Sequence, residues 1–185
     1  MKLTVTARAQ KKKSDTKQVR REGNIPGIIY SPGKEPELIV INGIEYATLM
    51  RSVESGRLPT TIFTLVFGKK ERRAILKEVQ YEITNYQVSH LDFQELHEDV
   101  LVQVKVPISI TGAADCPGVK LGGFLRQVIR TVQVECLPKH IPTEFVVDVK
   151  DLGIAQSKRL SDINLPKHVR PLAKMDEVLA VIAKR

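Results

Sequence analysis

The stretch Val100-Leu101-Val102-Gln103-Val104-Lys105-Val106-Pro107-Ile108-Ser109-Ile110 decides how the second half of this chain folds. Val100, Val102, Val104, Val106, Ile108 and Ile110 take every second place, the period of a strand that turns one face to a core. Downstream, Val132 to Cys136, Phe145 to Val149 and Val178 to Ile182 are shorter strand candidates, set among Gly112, Gly118, Gly122-Gly123, Pro138, Pro142, Pro166 and Pro171. No useful length of this half keeps a helical period, so a mostly β domain is expected.

Upstream the elements alternate. Lys2 to Arg8 reads as a strand, and Ser14 or Asp15 can cap a short helix that stops at Gly23, with Lys17, Arg20 and Arg21 on one face. Ile25-Pro26-Gly27, Ile28-Ile29-Tyr30 and Ser31-Pro32-Gly33 read as turn, short buried strand, turn, and Leu38 to Ile41 as a second strand. Asn42 with Glu45 resembles a capping box, opening a helix whose apolar stripe is Ile44, Ala47, Met50 and Val53 and which runs until Gly56. Ile62 to Phe67 and Ile75 to Ile83 flank Gly68-Lys69-Lys70-Glu71 as a hairpin, with Ile75, Val79, Tyr81 and Ile83 on one side and Lys77 interrupting them.

Charge divides the chain unevenly. Residues 1–80 hold sixteen Lys and Arg against eight Asp and Glu, whereas residues 81–185 hold thirteen of each. The composition changes sign at Glu82, after which Asp92, Glu95, Glu98 and Asp99 follow before any further Lys or Arg. A domain boundary near residues 95–99 follows, giving domains 1–95 and 96–185, the second close to neutral. The start Met1-Lys2-Leu3-Thr4-Val5 has no apolar run of a secretory signal, no stretch approaches the ~18 apolar residues of a membrane span, and Cys116 and Cys136 lack metal or disulfide spacing. A cytoplasmic protein with reduced thiols is expected.

Between Arg8 and Arg21 lie seven positive charges (Arg8, Lys11, Lys12, Lys13, Lys17, Arg20, Arg21) and one acid. Such a density marks a phosphate-binding surface more readily than a merely solvated loop, since each cation that meets a phosphate releases counterions. His90-Leu91-Asp92 and His97-Glu98-Asp99 offer two H-x-D pairs. They are open to two readings: a metal-dependent enzyme on His90, Asp92, His97 and Asp99, or base readout by imidazole and carboxylate. No phosphate loop, nucleophile elbow or third ligand cluster accompanies them, which favours binding over catalysis. Five Phe and four Tyr without Trp are sparse for single-strand stacking, so structured RNA or duplex is the favoured polyanion.

Arg20-Arg21-Glu22-Gly23-Asn24-Ile25-Pro26-Gly27-Ile28-Ile29-Tyr30 and His90-Leu91-Asp92-Phe93 resemble the two signatures of the bacterial large-subunit ribosomal protein twenty-five family. Gly122-Gly123-Phe124-Leu125, Ile141-Pro142 with Val147-Asp148-Val149, and Glu177 to Ile182 resemble the added β domain of its long form, the CTC or general-stress type. The resemblance implies a mainly β chain with some α: an N-terminal β-barrel-like α+β domain followed by a mostly β C-terminal domain. It implies 5S rRNA as partner, bound in a widened minor groove, the groove of A-form RNA that side chains reach. Arg8, Lys13, Lys17, Arg20 and Arg21 are then expected on backbone and groove, Tyr30 with its hydroxyl and ring, and Gln80, His90 and Asp92 on bases. It further implies a monomer among neighbouring proteins of the large subunit, with no catalysis, cofactor, metal, membrane or small-molecule substrate. Acting as a general stress factor through a protein partner is the other alternative. The chain departs from the family at Thr16, Lys17 and Gln18 and at Tyr81-Glu82-Ile83; Lys17 cannot reproduce a bidentate Arg fork, so weaker phosphate binding is expected there.

Overall fold

Leu3 and Val5 turn inward from the first strand, β1 (Lys2–Ala7), while Lys2, Thr4 and Thr6 stay exposed, and this alternation is repeated around a closed barrel. The computed structural model describes residues 1–8 and 13–184. They fall into two units, Met1–Val100 and Leu101–Arg185.

The first unit continues with α1 (Lys13–Arg21), β2 (Ile25–Tyr30), β3 (Glu37–Ile41), α2 (Gly43–Ser52), β4 (Ile62–Phe67), β5 (Lys70–Tyr81) and β6 (Val88–Glu95). The barrel order is β1-β3-β2-β6-β5-β4, closed by parallel pairing of β1 with β4. Closure leaves no open sheet edge. Inside it lie Leu3, Ile29, Ile39, Ile41, Leu65 and Leu91, with Phe63 and Phe93 meeting edge to face at 5.8 Å.

Four local expectations need correction. Ile25-Pro26-Gly27 is strand, not turn. Pro26 is tolerated because β6 pairs with β2 only from Gly27 onward, and Gly27 is required there, since a Cβ would lie 2.7 Å from both the Leu91 carbonyl oxygen and Ile41 Cδ1. Lys77 is an extra residue between Leu76 and Glu78 in the pairing with β6, so Ile75 falls out of phase with Val79; Tyr81 and Ile83 are 55% and 91% exposed. On α2 the buried residue is Tyr46, with Leu49 and Met50 half-buried, whereas Ile44 is 80% exposed and Ala47 is exposed. Asn42 Oδ1 does accept from the Ile44 and Glu45 amides, but Glu45 turns to the amide and hydroxyl of Thr4 on β1, so only half of a capping box forms. That contact fixes which face of α2 meets the barrel.

In the second unit, β7 (Val102–Thr111) leads to α3 (Pro117–Lys120), β8 (Phe124–Gln127), β9 (Thr131–Cys136), β10 (Phe145–Asp148), β11 (Ser157–Arg159), β12 (Val169–Pro171) and β13 (Val178–Ala183). Two sheets result, β10-β7-β9-β12 and β11-β13-β8. Strict alternation on β7 holds from Val102 to Val106 and then fails, because Val106, Pro107 and Ile108 are all buried. There the strand changes partners, pairing with β9 up to Pro107 and with β10 from Ile108. Val132, Val134, Phe145, Val147, Leu179 and Ile182 join the core, together with Cys116 and Cys136. The Cys116 thiol donates to the Leu152 carbonyl, and burial pushes the Cys136 thiol above its ordinary range. The fold is thus mainly β, with the barrel first and a β-rich unit after it.

Redrawing the charge count on these units overturns one expectation. Residues 1–100 hold sixteen Lys and Arg against thirteen Asp and Glu, and residues 101–185 hold thirteen against eight. The second unit is basic rather than neutral, because the acidic run from Glu82 to Asp99 belongs to the first.

Candidate nucleic-acid interface

Helix α1 is short and strongly basic, and it is held at both ends. At its start, Arg8 from the end of β1 donates through Nη1 to the Thr16 hydroxyl at 2.8 Å. At its end the Asn24 amide bonds the Val19 carbonyl and the Gly23 amide bonds the Arg20 carbonyl, with Gly23 at φ 78°, a left-handed stop that glycine adopts without strain. The helix begins at Lys13, so Ser14 and Asp15 lie inside it rather than capping it; Asp15 falls in the first turn and Arg20 and Arg21 in the last, the arrangement the helix dipole favours. Lys11 and Lys12 lie outside the described residues, as does the side chain of Lys13. Lys17 and Arg21 are exposed.

Arg20 bends toward β6. Its Nε and Nη2 both donate to the Ser89 carbonyl, at 3.0 and 2.9 Å. Arg8 and Arg20 therefore spend these bonds on neutral oxygens and keep their charge. Lys2 and Arg72 differ, pairing with Glu71 at 2.8 Å and Glu37 at 2.9 Å. Arg8 Nε and Asp15 Oδ2 are buried with no hydrogen-bond partner among the described residues.

Beside the Ser89 anchor, the outward residues of β2, β6 and β5 form a polar cluster. Leu91 and Phe93 point into the barrel, so His90 and Asp92 point out. The Tyr30 hydroxyl donates to Asp92 Oδ2 at 2.7 Å, and His90 Nδ1 lies 2.5 Å from Asp92 Oδ1. Gln80 sits opposite His90 and Glu78 opposite Asp92. Burial, the hydrogen bond to Asp92, and the nearby Asp92 and Glu78 charges push the Tyr30 phenol far above its ordinary range. Tyr30 is thus a neutral donor to Asp92 whose oxygen still accepts; Asp92 fixes His90 through Nδ1 and leaves Nε2 for another partner.

The structure therefore brings together Arg20, Tyr30, Gln80, His90 and Asp92, and ties Arg8 to the same helix. Ser89 was missed by sequence reasoning, since nothing in its type or spacing marks a carbonyl as an arginine anchor. Thr16 and Gln18, two departures from the family pattern, are used locally: Thr16 accepts from Arg8, and Gln18 donates to Glu22 at 3.0 Å. The set His90, Asp92, His97 and Asp99 forms no metal-ligand group among the described residues, and His97 lies 3.8 Å from Glu95. Among the described residues no three His, Cys, Asp or Glu side chains group as metal ligands.

Comparison with known proteins gives matches over both units. The model of the ribosomal L25p family matches residues 3–93, and that of the ribosomal protein TL5 C-terminal domain matches residues 101–185. The chain is 45% identical to the large ribosomal subunit protein bL25 of Chlamydia abortus and 44% identical to that of Chlamydia caviae, covering the whole of each chain in both cases. It is 43% identical, again over full length, to that of Chlamydia muridarum.

Proposed function

Because the chain belongs to the ribosomal L25p family, in the long form that carries a TL5-type C-terminal domain, we propose that it binds 5S rRNA through its first unit. It is a structural, non-catalytic constituent of the large ribosomal subunit, cytoplasmic and ribosome-associated. The observation that carries the finer reading is Arg20 fastened to Ser89, which holds a basic helix beside the His90–Asp92–Tyr30 chain on the outside of the barrel. Arg8, Lys13, Lys17, Arg20 and Arg21 engage phosphates and groove, and Gln80 and His90 read base edges while Tyr30 and Asp92 hold the reading group in place. Phosphate contacts set position and base-edge contacts set sequence.

The test is an equilibrium titration with 5S rRNA, a 5S rRNA with its internal loop scrambled, and tRNA, at two salt concentrations. The expected result is a preference for intact 5S rRNA of roughly 10³-fold, a steep salt slope, and collapse of binding with Arg20→Ala/Arg21→Ala. Equal binding to the three RNAs reduces the surface to a generic polyanion binder and returns weight to a protein partner.

A further inference from the structure

Next to Arg20 the first unit is cleft, in a lining that does not include Tyr30. An open cavity of about 820 Å³ lies between α2 and the β5–β6 hairpin. From the helix side it is lined by Ile44, Ala47, Met50 and Arg51, and from the strand side by Tyr81, Glu82, Gln87 and Val88, with Arg20 and Ile25 between them. Three features of this cleft bear on what it could hold. Ile44 and Tyr81 are large apolar side chains left more than half exposed on its two sides. Two arginines reach it from different helices, against one carboxylate, Glu82. Of the four tyrosines, Tyr81 is the exposed one in the cleft lining, Tyr46 reaches the lining from the buried core, and Tyr86, outside the lining, stands 81% exposed at φ 55° on the adjoining turn. A bulky residue at positive φ is a strained conformation of the kind that clusters at binding sites.

We propose that this cleft receives one unstacked nucleotide of the RNA held by α1. An aromatic ring faced by aliphatic side chains, with cations at the mouth, is the chemistry that takes a base by its faces and its phosphate by charge. Tyr81 stacks on the base with Ile44 and Ala47 on the helix side, and Arg51 meets the phosphate. Glu82 and Gln87 lie where they can accept from an exocyclic amine, which favours an amino-bearing base. The volume exceeds what a single nucleotide fills, within the ~300–1,000 Å³ common for ligand clefts. Arg20 belongs both to the cleft and to the α1 surface, so the cleft adjoins the basic helix, and Arg51 supplies a second cation in the same lining. The inference rests on the reading of α1 as an RNA-binding helix, and the experiment separates the two.

Full-length protein is titrated with 5S rRNA at two salt concentrations as wild type, Arg51→Ala, Tyr81→Ala and Tyr81→Phe, with Arg20→Ala/Arg21→Ala as reference. Tyr81 and Arg51 are exposed, and equal melting temperatures establish that the variants fold. Tyr81→Ala is expected to weaken binding roughly tenfold at an unchanged salt slope, and Tyr81→Phe to restore it. Arg51→Ala is expected to lower both affinity and the salt slope, the latter by about one. Acylation of RNA 2′-hydroxyls is expected to show one unpaired nucleotide protected by wild type and exposed again by Tyr81→Ala. If the cleft variants bind like wild type while the reference variant fails, the cleft holds no nucleotide and the α1 reading stands. If the reference variant also binds like wild type, both readings fall. A photo-crosslinker at position 81 that reaches a protein rather than RNA in assembled subunits overturns the proposal in favour of a protein partner.

Discussion

Both oxygens of the Asp92 carboxylate are engaged, one by the Tyr30 hydroxyl and the other by His90. Under the proposed function Asp92 positions Tyr30 and His90, and the remaining lone pairs of its carboxylate can still accept from a base. Asp92→Ala is expected to free both partners, lowering 5S rRNA affinity at least tenfold and reducing stability by about 1.5–3 kcal/mol, the range for hydrogen bonds to a charged group. Titration and urea unfolding measured on the same variant check the two numbers against each other. Unchanged affinity would restrict Asp92 to a structural role. The phenols of Tyr30 and Tyr46 are both raised, Tyr46 mainly by burial and secondarily by Tyr81. An acid that holds its proton more tightly when folded contributes stability in full below its unfolded pKa, about 10 for tyrosine, and loses that contribution as pH rises past it. Urea midpoints measured between about pH 9 and 11.5 should therefore fall for the wild type, and fall less for Tyr30→Phe/Tyr46→Phe.

At the scale of elements, two helix ends meet at two glycines. A Cβ on Gly43, the first residue of α2, would lie 2.0 Å from the carbonyl oxygen of Gly23, which ends α1. Alanine is the better helix former by about 1 kcal/mol, so propensity alone predicts that Gly43→Ala stabilises the protein. The clash is with backbone and must move one helix, a change that typically costs ~1–3 kcal/mol. Net destabilisation in urea unfolding is the expected outcome, and a stabilised variant would show that α2 shifts freely. Elements of six residues or more with a clean period were legible beforehand, β1 and β9 among them. β8, β11 and β12, of four, three and three residues, were not, since Arg126, Lys158, Arg159 and Arg170 break any apolar run in them, whereas the equally short β10 reads Phe-Val-Val-Asp. The phase slip at Lys77 was equally hidden, because a bulge is defined by the partner strand it opposes.

Across the whole molecule, each unit encloses its own hydrophobic core. Residues 1–100 alone should therefore fold and, if the first unit carries the RNA contacts, keep 5S rRNA affinity within about threefold at ~0.15 M salt, where charges beyond ~8 Å are screened. Loss of more than tenfold in that fragment would place RNA contacts in the second unit, whose basic excess makes the comparison a meaningful one.

The sequence by itself determined the β character of both halves, the basic helix stopped at Gly23, and the family, because periodicity, turn residues and motif order are properties of neighbours along the chain. Tertiary structure alone decided that Arg20 anchors on Ser89, that Tyr30 and His90 share Asp92, and that Tyr81 and Ile44 face a common cleft. Apart from His90 and Asp92, two positions apart on one strand and visible as an H-x-D pair, those pairings join residues tens of positions apart and are set by which elements lie side by side when the barrel closes.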